Sequence, residues 1–280
     1  MFPIVDCHNH SLPFIDDGAV DLAMALEMLK VAQENGTTDI VLTPHHLNGA
    51  FSNQMTSTLD HLDSLKVKAK EADINVNLHA GSEIHVVTET AQEILDNMAL
   101  TYLGLKKAAL LELPKSSLPM GVESIFSELI YNGITPIIAH PERNSVLRKN
   151  AQPLKEWMEL GCKAQLTGQS CTGEFGASLQ EVSFSFIEQG LVHLVASDAH
   201  RPSGRSPNLR NAANTLTEVF GEKTSKLLLH DNPQRILAGE NLINLNVHPD
   251  SSQTKTKTNK KSARAKRNKR SLLQRLIDFK

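Results

Sequence analysis

Aromatic residues are scarce: one Trp, two Tyr and nine Phe make up 4% of 280 residues. That scarcity disfavours base stacking as a main binding mode. Cysteine is scarce too: Cys7, Cys162 and Cys171 form no CxxC pair. A reducing compartment without a disulfide framework follows. None of the three is followed six residues later by Arg, so a thiolate phosphatase loop is absent. No apolar run approaches the roughly 18 residues a membrane helix needs, and MFPIVDCHNH has neither the basic nor the apolar region of a signal peptide. The expectation is a cytoplasmic protein.

A net charge of −2 hides an asymmetry. Residues 246–280 carry +9 and the remainder −11. An acidic body with a basic tail needs two explanations. From His248 to Arg270 the chain is mostly Ser, Thr, Asn, Lys and Arg, with almost no large apolar residue. Such a segment cannot bury enough apolar surface to offset ordering entropy. Residues 271–280, SLLQRLIDFK, regain a helical apolar pattern. The expected organisation is a body over 1–245, a disordered basic linker over 246–270 and a short amphipathic helix over 271–280. A basic stretch followed by an apolar helix face suits an anionic membrane surface.

Within the body, short β-branched or apolar runs alternate with longer amphipathic stretches. Seven runs predict strands: 3–7, 39–43, 74–80, 108–113, 135–139, 162–167 and 192–197. Leu22, Ala25, Leu26 and Leu29 show the helical spacing between them. Gly36, Gly133, Gly161 and Gly190 stand where helices should stop. Repeated β/α alternation argues a parallel sheet, and seven units argue a closed or nearly closed barrel.

In such a barrel the active site lies where the strands end, and six of the seven ends deliver His, Asp or Glu. The first gives His8 and His10, two apart and so on one side of a strand, with Cys7 facing away. Later ends give His45 in TPHH, Glu83, Glu112, His140 in HPER, and Asp198 with His200 in SDAH. Burying so many carboxylates together requires cations. Imidazole mixed with carboxylate suits zinc, manganese or iron. About nine donors exceed what one ion uses, which implies two or three ions sharing a carboxylate. Clustered ions of this kind stabilise attacking and leaving oxygens in phosphoryl displacement. Arg143 and Arg205 stand close by in sequence, and guanidinium groups bind phosphate bidentately. His46 and His85 are first assigned to surface or packing roles.

DCHNH, DDG, TPHH, GxEI, a lone Glu on the fourth strand, HxER and SDAH together resemble the polymerase and histidinol phosphatase (PHP) superfamily. Within it, DDG, TPHH and HPER are most similar to the CpsB-like branch of bacterial capsule and exopolysaccharide tyrosine phosphatases. The likeness runs from about Ile4 to Leu245. It implies a distorted (β/α)7 TIM-like barrel holding up to three divalent ions, Mn²⁺ by preference, with Zn²⁺, Fe²⁺ or Co²⁺ as alternatives. By motif position, His8, His10, Glu83 and Asp198 would hold the first ion. Glu83 would bridge to a second held by Glu112 and His140. Asp17, His45 and His200 would hold the third. Asp17 is taken over Asp16 as the second Asp of DDG, and His45 over His46 because it directly follows its strand. Arg143 and Arg205 would bind phosphate. The implied reaction is attack on phosphorus by a hydroxide bridging the ions. The implied substrate is phosphotyrosine on a partner tyrosine kinase of polysaccharide assembly. Rival readings are a small phosphomonoester, as in histidinol phosphatases, or a nucleic acid, against which the acidic body and few aromatics argue. The basic tail is the one departure that the resemblance leaves unexplained.

Overall fold

The computed structural model describes residues 2–245. The expected linker over 246–270 and helix over 271–280 lie outside the described residues.

The fold is α/β with parallel strands in two sheets. The first sheet has the order β1 (Ile4–Asn9), β2 (Thr37–Leu42), β4 (Asn77–Ala80). The second runs β3 (His45–His46), β5 (Glu83–His85), β6 (Ala108–Glu112), β7 (Thr135–Ala139), β8 (Lys163–Thr167), β9 (Leu194–Ala196). Every strand pairing is parallel. Gly81 N, just past β4, donates to Leu42 O of β2 at 2.8 Å, and Glu83 N of β5 to Pro44 O, beside β3, at 3.1 Å. The two sheets join at β9 and β1, where Asp198 N donates to His8 O at 2.8 Å and His10 N to Ala199 O at 2.9 Å.

Each of the seven expected strands is present, with the third shortened to Asn77–Ala80 and the last to Leu194–Ala196. Two further strands, β3 and β5, were not expected. Pro44 has no N–H to continue the β2 ladder, so the chain restarts at His45 and pairs it with Glu83. After β9, a short helix over Glu222–Lys226 passes through a π-helical turn at Leu227–Asp231 straight into a helix over Asn232–Ala238.

Helices cover the strands through their apolar stripes. Ala25, Met28, Leu29 and Ala32 of α1 (Leu22–Glu34) pack with Ile40, Leu42, Leu78 and Ala80. Asp21 caps α1 by accepting from Met24 N at 2.8 Å. Leu62, Leu65 and Ala69 of α2 (Met55–Glu71) join that cluster. Phe126 of α3 (Val122–Tyr131) meets Trp157 of α4 (Gln152–Leu160) edge to face, with centroids 5.3 Å apart. A second cluster gathers Val5, Cys7, Val41, Leu110, Ile137 and Leu194. Cys7 thus faces a core and not the histidines. Among the described residues no helix is long and apolar enough to cross a membrane.

Candidate metal centre

The candidate ligands come from all round the strand ends. β1 supplies His8 and, one residue past its end, His10. β3 supplies His45, β5 Glu83 and β6 Glu112. His140 directly follows β7, and Asp198 and His200 follow β9. Asp17 lies on the loop between β1 and α1.

Three groups of donor atoms form. His8, His10, Glu83 and Asp198, all buried, make the first. His10, Asp17, His45 and His200 make the second, and His45, Glu83 and Glu112 the third. Within each, one donor atom per residue lies within 4.8 Å of the others. His8 Nε2 stands 3.2 Å from Glu83 Oε2 and 3.4 Å from Asp198 Oδ1. His45 spans two groups: its Nδ1 is 3.0 Å from Glu83 Oε2 and its Nε2 is 3.3 Å from Asp17 Oδ1. His200 Nε2 meets the same Asp17 oxygen at 3.2 Å. The nine residues singled out from the sequence therefore gather in one place. His140 joins differently from expectation: its Nε2 lies 2.8 Å from Glu83 Oε1, but His45 takes its place in the group with Glu112.

Whether cations fit here is decided by four atoms. Glu83 Oε2, Asp198 Oδ1, His45 Nδ1 and His200 Nε2 are buried and satisfy no hydrogen-bond geometry. Each lies within 3.0–3.7 Å of an oppositely charged or chargeable partner, yet at angles that make no hydrogen bond. Orphaned buried donors and acceptors are costly. Lone pairs converging from imidazole and carboxylate are what divalent cations take up.

The surroundings fix the ligands. His8 Nδ1 meets Gln165 Oε1 at 2.9 Å and His10 Nδ1 meets Asp16 Oδ2 at 2.7 Å. Each contact leaves Nε2 facing the centre with its lone pair free once Nδ1 carries the proton. Asp16 also accepts from Gly18 N at 2.9 Å and His45 N at 3.2 Å. So of the two adjacent aspartates, Asp17 enters a donor group and Asp16 stands behind His10. Similarly His45 faces the centre, while buried His46 turns to Glu93 at 3.4 Å. His85 contacts Glu112 Oε2 at 3.2 Å, closer to the centre than its packing assignment implied.

Gln165 and Asp6 carry roles that the sequence reading did not give them. Gln165 is a neutral amide on the one strand whose end offered no ionisable group; its signal was a polar residue set between Ala164 and Leu166. Asp6 binds Ser197 N at 2.9 Å and Ser197 Oγ at 2.6 Å, tying β1 to β9 just before Asp198. Backbone strain is also held here. His140 (φ 31°) and Asp198 (φ 49°) adopt left-handed conformations that favour glycine.

Among these side chains the electrostatics are lopsided. Burial opposes charge on His10 and His45. Asp16 and Glu83 nevertheless raise His10 to about 9, and Asp17 and Glu83 raise His45 to about 11. Burial and the nearby His10 instead push His200 down to about 4. Burial pushes Asp198 up, but His8, Arg143, Arg205 and His140 hold it well below the usual carboxylate range.

Arg143 and Arg205 both close on Asp198 Oδ2, Arg205 Nη2 at 2.7 Å. Arg205 Nε is buried without a partner. The three cysteines are buried, and burial raises each thiol, Cys162 to about 12.

Residues 4–238 match the family described as capsular polysaccharide synthesis, CpsB/CapC. The chain belongs to that family. It is 34% identical over 240 residues to the tyrosine-protein phosphatase YwqE of Bacillus subtilis, spanning 86% of this chain and 94% of that protein. It is 28% identical over 239 residues to the tyrosine-protein phosphatase CpsB of Streptococcus pneumoniae, spanning 84% and 98%. A solved structure described as YwqE and CpsB, "unique metal-dependent tyrosine phosphatases", superposes with TM-score 0.83 at 33% identity, covering 86% of this chain and 97% of that one. The phosphotriesterase homology protein of Escherichia coli shares the fold alone, with TM-score 0.52 at 13% identity.

Proposed function

We propose that this CpsB/CapC family member is a metal-dependent protein-tyrosine phosphatase that regulates capsule or exopolysaccharide synthesis. Its substrate would be phosphotyrosine on a partner tyrosine kinase of that assembly. Residues 1–245 would form the catalytic domain, with the strand circuit through β1 and β9 a distorted (β/α)7 barrel. The protein would be cytoplasmic, with the basic segment beyond residue 245 meeting an anionic membrane surface.

The observation that carries the reading is the placement of two arginines against three convergent donor groups. His8, His10, Glu83 and Asp198 would hold one divalent cation. Glu83 and Glu112, with His45 or His140, would hold a second, and Asp17, His45 and His200 a third. Manganese is the first candidate. When bound, such cations supply Lewis-acid stabilisation of phosphoryl oxygens and an activated water as nucleophile.

The chain's own groups do the rest. Arg143 and Arg205 grip the phosphoryl oxygens, and Asp198 Oδ2 keeps both guanidiniums aimed at one place. Gln165 and Asp16 hold the His8 and His10 rings still, so no reorganisation is needed during reaction. Water adds to phosphorus while the bond to the tyrosyl oxygen breaks, releasing inorganic phosphate and tyrosine. A phenol leaves with an ordinary pKa of about 10, so it needs less proton assistance than a serine hydroxyl. A cysteine nucleophile is excluded, because all three thiols are buried and held protonated.

The test measures phosphate release in Mn²⁺ from a phosphotyrosine peptide, histidinol phosphate and a dinucleotide side by side. The peptide should be turned over best, and the His8→Ala variant should be inactive on it. Preference for histidinol phosphate or the dinucleotide would overturn the substrate assignment.

A further inference from the structure

Arg201 lies outside every donor group and, among the described residues, forms no ion pair. Its guanidinium is committed to main-chain carbonyls instead. Nη1 lies 2.8 Å from Asp17 O, 2.8 Å from Gly18 O and 2.6 Å from His200 O. Those carbonyls belong to two different loops. One carries Asp16 and Asp17; the other carries Asp198, His200 and Arg205. The second loop is folded on itself, since Arg205 O accepts from both His200 N at 2.9 Å and Arg201 N at 3.1 Å.

Asp17 is the donor that most needs such a fastening. Its side chain is 52% exposed, whereas the other donors are buried or nearly so. It also lies farther past the end of its strand than any other donor. Its neighbours are anchored separately: Asp16 by His10, and Gly18 by its fit against the His10 backbone. Ordering a loop residue costs backbone entropy, and charge-assisted bonds to carbonyls are roughly twice as strong as neutral ones.

We propose that Arg201 is a positioning residue that straps the Asp17 loop to the His200 loop, so that the cation set of His10, Asp17, His45 and His200 is assembled before the ion arrives. This rests on the metal-centre reading above. Arg201 touches neither substrate nor ion and acts through Asp17.

The experiment titrates metal-free full-length protein with Mn²⁺ by calorimetry. Ion content is measured in parallel for wild type, Arg201→Ala, Asp17→Asn and the double variant. Arg201→Ala should weaken one class of site by about 10–100-fold, the usual effect of losing an outer-sphere partner, and leave the others unchanged. In the Asp17→Asn background it should add nothing, because its effect passes through Asp17. Arg201 is exposed, so thermal midpoints without metal should match wild type. An Arg201→Ala isotherm that overlays wild type overturns the proposal. So do additive losses in the double variant, or a wild type with no ion class that Asp17→Asn removes. If instead the strap is found but no phosphotyrosine is hydrolysed, the substrate reading fails and this inference stands.

Discussion

Asp198 works on two sides at once. Its Oδ1 looks toward His8, His10 and His200, while its Oδ2 receives both Arg143 and Arg205. A single carboxylate therefore joins the cation groups to the phosphate grip. Removing either arginine alone, as Arg143→Ala or Arg205→Ala, should lower kcat on a phosphotyrosine peptide by on the order of 10²-fold, as losing one preorganised donor does. Asp198→Asn should cost more than either, because it disturbs both sides, and steady-state kinetics on the three variants will rank them. One step further out, Asp16→Asn takes the carboxylate from His10 Nδ1. The expected loss is about 10–100-fold in Mn²⁺ affinity, read by titration of the metal-free protein. Spacing put both aspartates in view, and only the DDG resemblance chose Asp17: adjacent residues of one type differ only in where the turn points them. Gln165 escaped for another reason. A scan for ionisable groups passes over an amide whose importance is the ring it orients.

The elements that matter most are the smallest. β3 and β5 hold two and three residues, and they bring His45 opposite Glu83. No periodicity can be read from segments so short, so the sequence showed the ligand residues without the strands that pair them. The larger strands were legible because each is a compact β-branched or apolar run, and four of them follow a helix-stopping glycine. Gly161 is one, with a φ of 122° at the end of α4. The loop between β1 and α1 obeys a different constraint. A Cβ on Gly18 would sit 2.0 Å from His10 O and 2.6 Å from His10 Cβ. Its φ is not the difficulty; space is. Gly18→Ala should therefore push the loop off His10 and displace Asp17. The expected outcome is loss of one Mn²⁺ class with the other ions retained, measured by ion content after gel filtration.

Across the whole molecule, the centre makes stability depend on pH with opposite signs in its two states. Without cations, His10 and His45 sit at about 9 and about 11, above their ordinary 6.5. Their protonation stabilises the fold fully below pH 6.5, and that contribution is lost as pH climbs from 6.5 through 9 toward 11. His193 and His200, lowered to about 4, do the reverse: their contribution is present above pH 6.5 and lost as pH falls toward 4. Chelator-treated protein should thus unfold at lower urea concentration at pH 9 than at pH 7. Protein with Mn²⁺ should gain stability over that interval, because fewer protons compete for the imidazoles. Urea midpoints at the two pH values, with and without Mn²⁺, will show whether the curves cross in this way.

Joining β1 to β9 also sets an order of events during synthesis. His8 and His10 leave the ribosome nearly two hundred residues before their partners Asp198, His200 and Arg205. A growing chain holds only part of each donor set for most of its translation, and β1 has β2 on one side and nothing yet on the other. The full set of ligands, and with it the enzyme's capacity to act on a phosphoprotein, exists only once the last strand has been made and laid against the first.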